Sequence, residues 1–224
     1  MTELDPAILD GLLEYDTPTI CNAIEEMEVR DPVDGYMGWD VRCMYPDLGR
    51  MVGYAVTATG RSTVPGSPQK GDGFPQWFEL VEKSPKPAVL VLKDVGPDRY
   101  RSAHCGDVMV TISLALGAIG LVTDGGVRDF ETVHELGFRY FASGLVAAHG
   151  TPEIVQAGLD VTISGTLVRT GDIIHADVNG VAVLPPEHCA EILERCPGVL
   201  EIEERRRALA NSPGFKAADV RNMP

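Results

Sequence analysis

Two short stretches bring together residue types that can do chemistry. In Thr123-Asp124-Gly125-Gly126-Val127-Arg128-Asp129, two glycines after an apolar run let the backbone turn sharply and project a guanidinium and a carboxylate from one place. An arginine fork can fix a carboxylate or keto oxygen in a plane, and an adjacent carboxylate can ligate a hard cation such as Mg2+. A helix-capping aspartate beside a surface arginine is the other reading of the same residues. The second stretch, Gly106-Asp107-Val108-Met109, opens a helix. The unpaired N–H groups and the positive dipole end of a first helical turn suit a carboxylate or phosphate, although Gly-Asp is also an ordinary cap.

The remaining chemistry-bearing residues carry less. His104, His134, His149, His175 and His188 show no metal-ligand spacing such as HExxH and are expected to be structural or solvent-facing. No GxSxG nucleophile motif is present, and GDGF at 71–74 lacks the GK(S/T) ending of a phosphate loop. Lys93 closes an apolar strand and can in principle form a Schiff base with a carbonyl substrate, but a solvated strand-end lysine is the expectation. The run Glu204-Arg205-Arg206-Arg207 reads as a solvated helix face. Cys21, Cys43, Cys105, Cys189 and Cys196 form no CxxC pair, and their odd number predicts reduced, mostly packed thiols.

The elements that must position these groups follow from periodicity. Residues 5–29 predict two short helices broken at Thr17-Pro18, with Thr17 as cap, and 30–49 has no period and reads as an ordered surface excursion. A strand is expected at 51–59, a long turn-forming loop at 60–73, a helix at 74–82 and a buried strand at 88–93. Gly106 introduces a helix that Gly117 stops. Then come a strand at 119–124, a short helix beginning near Arg128-Asp129, and a strand at 138–143. This alternation predicts an α/β domain with a largely parallel sheet, and it sets both candidate stretches just past strand ends, where open α/β sheets place ligands. Alternating apolar residues and turn residues over 160–185 predict antiparallel strands forming a second sheet layer, followed by a helical segment over 186–210.

Composition bounds the function. With 44% hydrophobic and 23% charged residues among 224, the chain has material for a sizeable core and reads as one domain over 1–224, with N-terminal helices to about residue 30 and a C-terminal helical arm over 186–224. No long apolar run suggests a membrane span and the acidic N-terminus does not resemble a signal peptide, so a cytoplasmic protein without a membrane partner is expected. A formal net charge of -14 repels polyphosphate and argues against nucleic acid as a partner.

The stretch GDVMVTISLALGAIGLVTDGGVRDFETVHELGFRYFASG (106–144) resembles the RraA-like family, in particular its 4-hydroxy-4-methyl-2-oxoglutarate aldolases. The likeness extends to DTPTICNAIE (16–25), GYAVTA (53–58) and GDIIHADVNGVAVLP (171–185). It implies a three-layer β/β/α swivelling-type fold with terminal helical arms, assembled as homotrimers or homohexamers with sites between subunits. It also implies a divalent-metal-dependent pyruvate aldolase that cleaves 4-hydroxy-2-oxo acids and decarboxylates oxaloacetate, with Mg2+ or Mn2+ as cofactor and a small 2-oxo acid as substrate. By position, Asp129 matches the metal ligand, Arg128 the substrate-binding and catalytic arginine, and Gly106, Asp107, Val108 and Met109 the loop that holds the substrate carboxylate. Asp107 also matches an acidic residue beside metal-bound water, which is the candidate base. Glu203 or Glu204 matches a glutamate lent by a neighbouring subunit. Asn22 departs from the family, where many relatives carry Asp. The alternatives are a non-catalytic family member that binds a ribonuclease, and a lyase acting on a different 2-oxo acid. A methyltransferase is disfavoured because no GxGxxG fingerprint follows a strand.

Overall fold

The computed structural model describes residues 3–66 and 71–224; positions 67–70 of the long loop expected at 60–73 lie outside the described residues. Helix α1 (Pro6–Leu13) starts where Asp5 accepts the Ala7 N–H and a proline fills the first turn. Helix α2 (Thr17–Glu25) is capped by Asp16, whose Oδ1 accepts the Thr19 N–H at 2.9 Å. Thr17, expected as the cap, is instead the first helical residue, and its hydroxyl meets buried His175 Nδ1 at 3.0 Å. A carboxylate one residue earlier reaches the free amide better than a hydroxyl already committed elsewhere.

The strands and helices then follow in order: β1 (Arg42–Cys43), β2 (Met51–Arg61), α3 (Gly73–Lys83), β3 (Ala88–Asp94), α4 (Asp107–Ala115), β4 (Ala118–Thr123), β5 (Gly126–Val127), α5 (Phe130–Glu135), β6 (Arg139–Ala142), β7 (Gly144–Leu145), β8 (Glu153–Ala157), β9 (Val161–Ile163), β10 (Thr166–Val168), β11 (Ile173–Asp177), β12 (Gly180–Leu184) and α6 (Cys189–Ala210). The main sheet has the order β1-β6-β4-β3-β2-β11-β12, with β8 added to the far half of β2. The β2–β3, β3–β4 and β4–β6 pairs are parallel, as the helix–strand alternation predicts.

The segment 160–185 divides in two. β11 and β12 extend the main sheet antiparallel to β2, whereas the β9–β10 hairpin forms a separate ladder over one face. Only that hairpin makes the second layer expected from the sequence. The segment 30–49 is also more than a surface excursion. Tyr36 bridges to Ala182 on β12 and β1 pairs with β6, so this stretch runs between the two edges and nearly closes the sheet. It buries Met37, Val41 and Tyr45. A segment that crosses from edge to edge meets the core at irregular intervals, so no period marks it in the sequence.

β3 shows why its apolar run is continuous. Val89 and Val91 face the inner cluster with Phe141, Ile163, Val168 and Ile174, while Leu90 and Leu92 face Trp77, Val81 and Val110 of the helical layer. Each such side chain contributes about 1.5–3 kcal/mol on burial. A third cluster packs Leu12, Ile20, Ile192 and Cys196 of α1, α2 and α6 against Tyr54 and Ile173. Beyond Val199 no side chain of α6 is fully buried, although Glu203 still meets Asn22 of α2. The architecture is the mixed α/β, β/β/α arrangement with terminal helices.

Candidate active site

A short zipper of backbone hydrogen bonds joins the two candidate stretches. Gly126 N–H donates to Ser102 O, His104 N–H to Gly126 O, and Arg128 N–H to Cys105 O, at 2.7, 3.0 and 3.0 Å. The chain leading into α4 thus lies beside the chain leading into α5, and Gly106-Asp107 arrives next to Arg128-Asp129. The chain bends at Asp124-Gly125, as expected, without a positive φ at either glycine. The glycines also permit close approach: a Cβ on Gly125 would stand 2.8 Å from His104 Cδ2, and one on Gly126 would stand 2.6 Å from Val146 Cγ2 and 2.8 Å from Ser102 O.

Asp129 occupies the N-cap position of α5 in a left-handed conformation, φ 57° and ψ 44°, yet its side chain caps nothing in its own helix. Its Oδ2 accepts the Asp107 N–H at 3.1 Å and lies 3.3 Å from Arg128 Nε. The helix-cap reading of Asp129 therefore fails for α5; the carboxylate serves the N-terminus of α4. A non-glycine residue in this conformation costs on the order of 1–3 kcal/mol, a strain that clusters at functional positions. Gly106 makes the approach possible, since a Cβ there would sit 2.3 Å from Asp129 Oδ2. Asp107 Oδ1 accepts the Val108 N–H at 2.7 Å, so two of the three amides in the first turn of α4 are already answered by carboxylates, leaving that of Met109.

These residues open on a cleft of about 360 Å³ lined by Gly106, Asp107, Val108, Met109 and Arg128, with His104, His149 and the aromatic rings of Phe74 and Phe78 completing it. Phe74 and Phe78 carried no functional signal in the sequence, and His104 was expected to be structural or solvent-facing; it is buried and also lines the cleft. His104 forms a buried pair with Asp94 at 2.6 Å. The signal available was a carboxylate ending an apolar strand and a histidine just ahead of Gly106, but nothing in their spacing joins them.

Lys93 is likewise not the solvated strand-end lysine expected. Its ammonium is engaged by the buried Asp124 carboxylate, and it does not line the cleft. Glu203 receives the Asn22 amide at 3.1 Å and Arg207 Nη1 at 3.2 Å within this chain, while Glu204 lies exposed on α6; neither approaches the cleft of its own chain. All five cysteines are free, and burial pushes the Cys105 thiol up to about 12, which makes it inert.

Among the described residues, no three His, Cys, Asp or Glu side chains gather closely enough to enclose a metal ion. The donor set fits a different kind of ion. Asp129 Oδ1 and Asp107 Oδ2 are carboxylate oxygens with no hydrogen-bond partner among the described residues. One or two such oxygens, with water and substrate oxygens filling the other positions, suit a hard octahedral cation.

A family model described as RraA-like, Aldolase/RraA, matches residues 17–183. Among curated relatives, the chain is 28% identical over 153 residues to Protein DlpA of Legionella pneumophila, a stretch covering 67% of this chain and 25% of that protein. It is 33% identical over 137 residues to an uncharacterized protein of Methanocaldococcus jannaschii, covering 60% and 66%. It is 28% identical over 144 residues to a Halalkalibacterium halodurans protein named "Putative 4-hydroxy-4-methyl-2-oxoglutarate aldolase", covering 63% and 67%. The match thus spans a quarter of the Legionella protein and about two thirds of the other two. Among solved structures, an uncharacterized protein from Pseudomonas syringae pv. tomato superposes with a TM-score of 0.75 at 23% identity, covering 100% of this chain and 96% of that one. Streptomyces coelicolor RraAS2 superposes with a TM-score of 0.70 at 24% identity, covering 91% and 98%. Those structural likenesses speak for the fold, and the family model speaks for descent: the chain belongs to the RraA-like family.

Proposed function

We propose that this protein is a divalent-metal-dependent carbon–carbon lyase that cleaves 4-hydroxy-2-oxo acids such as 4-hydroxy-4-methyl-2-oxoglutarate and also decarboxylates oxaloacetate. The observation that carries this reading is the convergence of Gly106, Asp107 and Arg128 on one cleft, with the Asp129 carboxylate directly against all three. The name of the Halalkalibacterium relative supports the substrate class.

Cleaving a bond next to an α-keto acid leaves a pyruvate enolate, and negative charge develops on its oxygen. Arg128 provides a fixed positive contact for that charge and for the neighbouring carboxylate, at a site partly withdrawn from water. The Met109 N–H, at the positive end of α4, offers the carboxylate a further donor. Asp129 and, through water, Asp107 are the residues that would hold the cation. Mg2+ or Mn2+ held there supplies Lewis-acid stabilisation of the enolate charge.

The same reading takes residues 1–224 as one RraA-like domain acting in the cytoplasm as a homotrimer or homohexamer, with Glu203 or Glu204 reaching a neighbouring copy's site. The exposed apolar side chains Val108 and Ile112 beside the cleft support a second copy covering this face. The test is pyruvate release from a panel of 4-hydroxy-2-oxo acids, coupled to lactate dehydrogenase. Activity should vanish with EDTA and return with Mg2+ or Mn2+. No release from any substrate, together with tight association with a ribonuclease, would assign the chain to the family's non-catalytic regulators.

A further inference from the structure

The buried His104–Asp94 pair has no part in the roles assigned above. His104 Nε2 lies 2.6 Å from Asp94 Oδ2 and 3.1 Å from Ser102 Oγ, and Ser102 Oγ meets Ser62 Oγ at 2.6 Å. The imidazole is wedged between two glycines: a Cβ on Gly125 would stand 2.8 Å from its Cδ2, and one on Gly60 would stand 3.4 Å from its Cε1. Burial alone would raise the Asp94 carboxyl, but hydrogen bonds from His104 and Ser102 outweigh it and hold the group below its ordinary 3.8. Asp94 is therefore an ionised acceptor, so Nε2 carries the hydrogen of that bond, and whenever the ring is neutral Nδ1 holds the lone pair. Nδ1 has no partner among the described residues and belongs to a ring that lines the same cleft as Asp107 and Arg128. A ring held in one tautomer by a carboxylate, with its second nitrogen free, is the arrangement a general base requires.

We propose that His104, oriented by Asp94, carries the proton in this cleft. The proposal rests on reading the cleft as the site of a 2-oxo acid lyase. In cleavage, Nδ1 takes the proton of the substrate 4-hydroxyl. The O–H electron pair becomes the π bond of the new carbonyl while the C3–C4 pair passes into the enolate. The imidazolium then returns the proton to C3, which yields pyruvate and restores the neutral ring, with no net proton gained or lost. Asp107 keeps a water-positioning role in place of the base role expected for its bound water. The charged groups around the ring are Asp94 behind it, the Lys93–Asp124 pair alongside Asp94, and Asp107, Arg128 and His149 in the cleft.

Oxaloacetate separates this role from a structural one. Its loss of CO2 needs a stabilised enolate but no base, whereas cleavage of a 4-hydroxy acid and exchange of pyruvate methyl protons with heavy water both need one. His104→Gln is expected to lower cleavage and exchange by about 100-fold or more, and single-turnover CO2 release, which precedes any return of a proton to C3, by a much smaller factor. Equal loss of all three activities, or retention of cleavage, would overturn the proposal. Should the variant not fold, nitrogen NMR of the histidine-labelled wild-type protein decides: oxalate, an enolate mimic, added with Mg2+ should move the His104 Nδ1 resonance, and an unmoved resonance with oxalate bound refutes the assignment. A wild-type protein that releases neither pyruvate from any hydroxy acid nor CO2 from oxaloacetate removes the lyase reading itself, and this proposal with it.

Discussion

The Asp107 N–H donates to Asp129 Oδ2 across 3.1 Å, so the aspartate at the head of α5 caps the neighbouring helix α4 instead of its own. One hydrogen bond thus locks two stretches far apart in sequence into a common site. Gly106 is the residue that lets them meet. Its backbone is extended, with φ -139°, so alanine there brings no conformational strain, only a Cβ 2.3 Å from Asp129 Oδ2. Gly106→Ala is expected to cut pyruvate release about 100-fold, because a displacement of this order misaligns reacting groups. Circular dichroism should show the fold intact.

Asp129→Asn keeps the size and one acceptor oxygen but removes the charge. Calorimetric titration with Mg2+ should lose its binding heat in this variant, and lyase activity should fall about 100- to 1000-fold. Unchanged Mg2+ affinity would take the cation away from Asp129.

Arg128→Lys tests planar recognition apart from charge. A lysine keeps the cation but loses the fork that grips a carboxylate through two parallel bonds. We expect kcat/KM to fall by about 100-fold, with a loss of affinity for oxalate measured in the same variant.

His175 supplies a pH-dependent element of stability. Its Nε2 lies 3.0 Å from Leu12 O and its Nδ1 3.0 Å from Thr17 Oγ1, and burial pushes its pKa below the ordinary 6.5. In the unfolded chain it titrates near 6.5, so as pH falls below that value the unfolded state takes up a proton that the folded state resists. Stability must then decline with falling pH, by at most about 1.4 kcal/mol per pH unit for this one proton. Urea denaturation between pH 7.5 and 5 should show the slope, and His175→Gln should flatten it.

Leu90 on β3 is fully buried against the helical layer. Leu90→Ala should cost about 2–5 kcal/mol in urea unfolding, since the sheet behind it cannot relax into the void. It lies outside the cleft lining, so the turnover of the folded fraction should be unchanged.

Much of this was legible in the residues themselves. The apolar run 88–93, the Gly117 stop and the helix opening at Asp107 follow from local sterics and periodicity, and the structure reproduces them within a residue or so at most ends. Arg128 and Asp129 stood out because their types suit anion and cation binding and because a strand end precedes them. Pairings that depend on where distant strands lie were not legible. Lys93 and Asp124 meet from the ends of two neighbouring strands, and Asp94 at a strand end meets His104 from the loop before α4; no spacing in the chain encodes either meeting.

Sequence alone settled the alternation of elements, the turns and the chemical inventory, because these are governed by backbone sterics and by the period at which side chains meet a core. Tertiary structure decided which glycine faces which ring, which helix Asp129 caps, and that residues 36–43 span from one sheet edge to the other. Those outcomes depend on how the curled sheet brings separated segments to within a few ångströms, a cooperative result of burying the whole core at once and not a property of any local stretch.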